Sequence, residues 1–208
     1  MDFPKVLSTA YLPSISWFQQ AIIGGEFYIE AKENYVKQSY RNRSKILSAN
    51  GILDLTLPII HTNGKQLITD VKINENEPWR KQHWQAICSA YGKSAFFLYY
   101  RDSLENLYLS DNQKYLFEWN NALIKLMGKH LKVELNLKFT EEFELLPINK
   151  IDLRNHFHAK GNPRENELIF TKKYYQVFAE KFSFVPNLSV LDLLFNVGPI
   201  SADYLVQH

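Results

Sequence analysis

The fold turns on residues 5–31, KVLSTAYLPSISWFQQAIIGGEFYIEA. KVLSTAY is extended and rich in β-formers, and EFYIEA reads as a second strand. Between them, SISWFQQAII spaces Ile15, Phe18, Ile22 and Ile23 near the helical period, with Ser14 as N-cap and Gly24-Gly25 as a stop. Strand, helix, strand in that order predicts a right-handed crossover and an α/β start.

Further along, LDLTLPII and LITDVKI read as strands joined by HTNGK, whose Asn63-Gly64 predicts a hairpin turn. The apolar spacing of Lys5–Tyr11, Glu26–Ala31, Leu53–Ile60 and Leu67–Ile73 asks for one covered face, so all four are expected in one sheet. The middle reads as helical. Pro78 suits a first helical position ahead of WRKQHWQAICSAY, where Trp79, His83 and Ile87 share one side while Lys81 and Gln82 face away. Ser110 with Gln113 has capping-box spacing before KYLFEWNNALIKLMGKHL, whose stripe is Leu116, Trp119, Leu123, Leu126, Met127 and Leu131. KFTEEFEL alternates like a strand, and PNLSVLDLLFNVGP reads as a short buried helix with Ser189 and Asp192 at capping-box positions. The fold class expected is α/β, a mixed sheet with a helical middle section, in a single domain over residues 1–208 with a helical subdomain near 76–131.

Composition narrows the partners. A chain of 208 residues that is 46% hydrophobic and 22% charged can bury a substantial core. Lys and Arg total 24 against 22 Asp and Glu, so no whole-molecule field drives binding to nucleic acid, and none is expected as a partner. One cysteine, Cys88, forms no intrachain disulfide and fits a cytoplasmic protein. MDFPKVLSTAYLPS lacks the pattern of a signal peptide, and no apolar run reaches the length of a transmembrane span.

The charge that exists is local. In NYVKQSYRNRSKI, Asn34–Ile46, Lys37, Arg41, Arg43 and Lys45 stand among Tyr35, Tyr40 and two asparagines. Guanidinium and ammonium groups grip phosphate or carboxylate, while asparagine and tyrosine orient it. If the stretch ends in a helical turn, Lys37, Arg41 and Lys45 share a side; the competing reading is a solvated basic face. Glu30 and Glu33, just upstream, can anchor an arginine or accept a proton. His83 is either a base or a satisfied core histidine. His156 and His158 have the spacing of two ligands on a strand, but no third is implied, so no metal is expected. P-loop, GxGxxG, GxSxG and HExxH patterns are missing.

YLPSISWF, ENYVKQSYRNRSKI, LTLPI, WRKQHWQAICSAYGKSAFF, YYQVF and FVPNLSVLDLLFNVGP, in that order, resemble the WbqC-like protein family over nearly the whole chain. One block departs: Ser8-Thr9-Ala10 precede Tyr11-Leu12-Pro13, where many relatives carry a Gln-Pro-x-Tyr-Leu-Pro segment. No role of that glutamine is carried over. The resemblance implies surface-polysaccharide biosynthesis of the O-antigen type, with aminoacyl or acyl (glycine) transfer to an amino sugar; the alternative is a non-catalytic protein that binds a nucleotide sugar or assists assembly. An anionic small molecule such as a nucleotide sugar is the implied partner, and no cofactor is implied. Transfer needs a base, for which His83 is the first candidate and Glu33 the second. Binding is expected from Tyr11, Asn34, Tyr35, Lys37, Arg41, Asn42 and Arg43.

Overall fold

The computed structural model describes residues 3–23, 25–110, 113–157 and 172–206. Strand β1 (Lys5–Ser8) leads through helix α1 (Ile15–Ile22) to β2 (Phe27–Glu30), and the strands pair in parallel, Lys5 opposite Phe27 and Ser8 opposite Glu30. Ser14 is the N-cap of α1, accepting from the Trp17 amide, and the Lys5 ammonium binds the other end by donating to the Gln20 carbonyl at 3.1 Å. Gly24, half of the expected stop, lies outside the described residues, as does His158.

The expectation of four strands in one sheet fails for its second half. β3 (Arg43–Ser48) and β4 (Gly51–Thr56) pair only with each other, as an antiparallel hairpin. Gly51 closes it at φ +106°, a left-handed conformation suited to glycine, and β4 thereby spends one edge on β3. The basic stretch therefore enters a strand, not a helical turn: Lys37–Tyr40 form turns and Arg43 opens β3. Leu67–Ile73 is not a full strand either, since Ile68–Asp70 makes a 3₁₀ turn. Residues 58–60 do fold back on 72–74, but across the connection 61–71 and not through a tight hairpin turn at Asn63-Gly64. Ile60 donates to the Lys72 carbonyl at 2.9 Å and Asn74 to that of Pro58 at 2.9 Å.

Helices α2 (Trp79–Tyr91), α3 (Phe97–Leu109) and α4 (Leu116–Leu131) form the middle. On α2, Trp79 and Ile87 are buried and Lys81 and Gln82 exposed, as the apolar spacing requires; Pro78 is its N-cap rather than its first residue. The capping box expected at Ser110 and Gln113 does not form. Tyr115 is the N-cap of α4, while the Ser110 hydroxyl donates back to the Leu107 carbonyl at 2.8 Å, closing α3. Helix α3 shows a weak pattern in sequence because Leu98 and Tyr99 point to solvent while Phe97, Tyr100, Leu104 and Tyr108 are buried.

Two short strands complete the main sheet. β5 (Lys138–Phe139) joins β2 and β6 (Ile151–Asp152) joins β1, both parallel, in the order β5-β2-β1-β6. KFTEEFEL thus supplies two strand residues rather than a full strand. After α5 (Ala179–Phe182), α6 (Val190–Val197) is buried on nearly every side, which explains its uniformly apolar sequence. Ser189 caps α6, but Asp192 makes no box with it; its carboxylate accepts from Tyr174 at 2.7 Å and Gln176 at 2.8 Å. Gly198 follows because a Cβ there would lie 2.5 Å from the Phe96 ring. A single apolar cluster unites α1, both sheets, α2–α4 and α6 in one domain. Among the described residues, no helix is long and apolar enough to cross a membrane.

Candidate functional site

Parallel strands that begin together also end together, and their carboxyl ends are where open α/β sheets place ligands. Here they gather charge. Ser8 and Glu30 end β1 and β2 side by side, and Asp152 ends β6. The chain leaving β2 carries Glu33, whose carbonyl accepts from Ile68 at 3.0 Å, and returns as Arg41, whose carbonyl accepts from Asn120 Nδ2 at 2.8 Å. Thus tethered, Arg41 forks inward: Nε donates to Glu33 Oε1 at 2.9 Å, and Nη2 to Ser8 Oγ at 2.6 Å and to Glu33 Oε2. Arg154 mirrors it, with Nη1 donating to Glu30 Oε2 at 2.9 Å and Nη2 to Asp152 Oδ2 at 2.7 Å. The Ser8 hydroxyl links both halves, 3.0 Å from Glu33 Oε2 and from the Arg154 carbonyl.

Both upstream carboxylates therefore anchor arginines, and the four charged residues are at most 5% exposed. Burial pushes the Glu33 carboxyl above the usual carboxylate value, against the pull of the Arg41 guanidinium and the Ser8 hydroxyl. A cavity of about 240 Å³ opens on this cluster, lined among others by Glu33, Asn34, Arg41, Phe143, Asp152 and Arg154.

A larger cavity, of about 700 Å³, takes its cations from the same stretch. Tyr35, Lys37, Asn42 and Arg43 line it with His61 and Glu77. Register explains the division: Arg43 lies opposite Thr56 in the hairpin, and Asn42 is pinned where its Nδ2 donates to the Leu57 carbonyl at 2.9 Å. Two polar atoms remain buried here without a hydrogen-bond partner among the described residues, Arg43 Nε and Asn42 Oδ1. Glu77 is held by Asn74 Nδ2 at 3.1 Å. Burial raises the Tyr35 hydroxyl pKa, with Arg43 and Arg41 opposing.

Tyr11 and His83 form a third, closed group. His83 Nδ1 is 2.8 Å from the Tyr11 hydroxyl, which lies 2.6 Å from that of Tyr108. Trp79 meets His83 edge-on at 5.7 Å. Desolvation lowers the His83 pKa to about 4, despite a hydrogen bond to the Thr56 backbone that acts in the other direction. The ring is thus a neutral imidazole at pH 7, behind the wall that Thr56 gives to the larger cavity.

The residues singled out in sequence fall into three places: Tyr35, Lys37, Asn42 and Arg43 in the larger cavity, Glu33, Asn34 and Arg41 at the strand ends, Tyr11 and His83 behind the wall. Sequence reasoning missed Arg154, 124 residues from its partner Glu30, and Asp152, which pairs with Arg154. Ser8, Thr56, His61 and Glu77 were missed as well. The one available signal was that Glu30 and Ser8 each end a strand. Among the described residues, no three His, Cys, Asp or Glu side chains gather as a metal site requires.

Fold and site together define a single-domain α/β protein with a parallel sheet, a charged cluster at the strand ends and a basic cavity beside it. The chain belongs to the WbqC-like protein family, whose model matches residues 9–160. It is similar to a protein from Mycobacterium tuberculosis (strain ATCC 25618 / H37Rv) described as "Uncharacterized protein Rv1507c", at 26% identity over 96% of each chain. No solved structure matches significantly.

Proposed function

We propose that the larger cavity binds the anionic part of a small molecule, a phosphate- or carboxylate-bearing sugar such as a nucleotide-linked amino sugar, and that the protein serves surface-polysaccharide biosynthesis in the cytoplasm. The pathway is what membership of the family supports; the ligand chemistry comes from the cavity. One observation carries it: Lys37 and Arg43, neither with a carboxylate partner among the described residues, line one concave wall with Asn42 and Tyr35. A guanidinium, an ammonium, an amide and an aromatic ring are the groups that such a ligand needs.

Binding without turnover accounts for the placement of the candidate bases. Transfer of an acyl or aminoacyl group would join the sugar's amine nitrogen to the carbonyl carbon of an activated ester or thioester, release the donor's alcohol or thiol, and pass the amine proton to a base. His83 is buried against Tyr11 and does not line the cavity, and Glu33 is held by Arg41. The transfer reading is favoured by a different group, the Glu77 carboxylate, which lines the same cavity. Calorimetry with UDP-N-acetylglucosamine tests the binding claim. Arg43→Ala should weaken affinity by roughly 10- to 150-fold, the scale of a lost charge-assisted hydrogen bond, with unchanged circular dichroism. Equal affinity in the variant removes the clamp. Release of thiol or alcohol from an activated acyl donor in the presence of an amino sugar, lost in Glu77→Gln, would establish transfer.

A further inference from the structure

A second cavity, of about 510 Å³, adjoins the first, and Lys72, Arg80, Lys114, Glu75 and Asn74 are among its lining residues. The antiparallel ribbon of residues 58–60 and 72–74 is the shared wall: it gives Pro58 and Ile59 to the larger cavity and Ile60, Lys72 and Ile73 to the second, while Asn74 lines both. The cations of the second cavity differ in kind. Arg80 is fully engaged, its fork on the Glu75 carboxylate at 2.9 and 3.1 Å and on the Ser110 and Gln113 carbonyls, with its guanidinium carbon 4.6 Å from the Trp79 ring and 4.7 Å from the Trp119 ring. Lys72 and Lys114 are exposed, and among the described residues neither has a carboxylate partner. Lys72 rests on the Tyr115 ring at 5.7 Å, which directs its stem without neutralising it.

Two cation pairs therefore lack a carboxylate partner among the described residues, Lys37 with Arg43 and Lys72 with Lys114, one in each cavity. Neighbouring strands lie about 4.8 Å apart, so groups gripped on opposite sides of a two-stranded ribbon stand on the order of 10 Å from each other. A single phosphate satisfies one pair only. We propose that the two cavities are halves of one site for an extended ligand with two separated anionic groups, a nucleotide sugar whose sugar carries a carboxylate, laid across the ribbon at Asn74. One pair holds the diphosphate and the other the sugar carboxylate. This rests on the larger cavity being the anion site proposed above, and extends it to the class of sugar.

Two probes that differ only at the carboxylate test it: UDP-glucuronate and UDP-glucose, titrated calorimetrically into the full chain. UDP-glucuronate should bind at least 10-fold more tightly. Lys72→Ala/Lys114→Ala, both at exposed positions, should weaken UDP-glucuronate much more than UDP-glucose if this pair holds the carboxylate, while Lys37→Ala/Arg43→Ala should then weaken both probes alike; if the pairs exchange roles, so do these two outcomes. Equal binding of the two probes overturns the bipartite site. So does a Lys72→Ala/Lys114→Ala variant that loses neither; the larger cavity then stands alone as long as Lys37→Ala/Arg43→Ala still weakens both probes. If neither probe binds the unsubstituted chain, the bipartite site and the larger-cavity reading both fall.

Discussion

Arg41 and Arg43 are two residues apart, and the structure treats them in opposite ways. Arg41 is 3% exposed and gives Nε and Nη2 to Glu33 and Ser8, inside a network that reaches Arg154, Glu30 and Asp152. Arg43 opens a strand, borders an open cavity and leaves Nε without a partner among the described residues. A charge taken out of water is tolerated when its partners are taken with it, so the strand-end cluster is a closed device in which every charge answers another. A cation left unanswered at a cavity wall is instead available to something from outside. Concentration of basic residues in one stretch does not by itself say which of its members meet a ligand.

Arg41→Ala should be the most damaging test of this contrast, since it leaves Glu33 buried and unpaired. Chemical denaturation should show a loss of about 3–5 kcal/mol. Replacing the pair together, Arg41→Met with Glu33→Gln, should recover most of it; a single-variant loss below about 1 kcal/mol would mean that the cluster contributes little to the fold.

His83 sharpens the comparison from the other side, as a titratable group buried neutral instead of paired. Its pKa of about 4 lies below the ordinary value of 6.5, so the unfolded chain binds the proton more tightly. Its contribution to stability is complete above pH 6.5 and is lost as pH falls towards 4, by roughly 3 kcal/mol at most. In His83→Gln the slope of stability against pH between 4 and 6.5 should flatten; an unchanged slope would place the acid sensitivity elsewhere.

The smallest effect belongs to Arg43. Arg43→Ala should change unfolding free energy by less than about 1 kcal/mol, since it breaks no ion pair, while ligand affinity drops. If stability falls as far as in Arg41→Ala, the two arginines are not the separate devices described here.

Much of the fold was legible because it is written locally. The spacing of Ile15, Phe18 and Ile22 with Ser14 before them specifies α1, the Trp79–Tyr91 stripe specifies α2, and residues that form one strand or one helix turn need no distant partner to be read. Strand pairing was not legible to the same degree. Leu53–Ile60 has the alternation of a strand whichever sheet receives it, and the Gly51 turn, not its apolar pattern, gives β4 to β3. Of the site, sequence supplied the residue types in Asn34–Ile46 and the expectation that Glu33 could anchor an arginine. It was silent on Arg154, which meets Glu30 across 124 positions of chain, and on Asp152 beside it, because both depend on β6 adding to β1 in parallel. It was equally silent on which cations stay unpaired. That depends on where each guanidinium ends in space, on the desolvation around it and on the carboxylates within about 3 Å, and those distances exist only once the parallel strands bring their ends together.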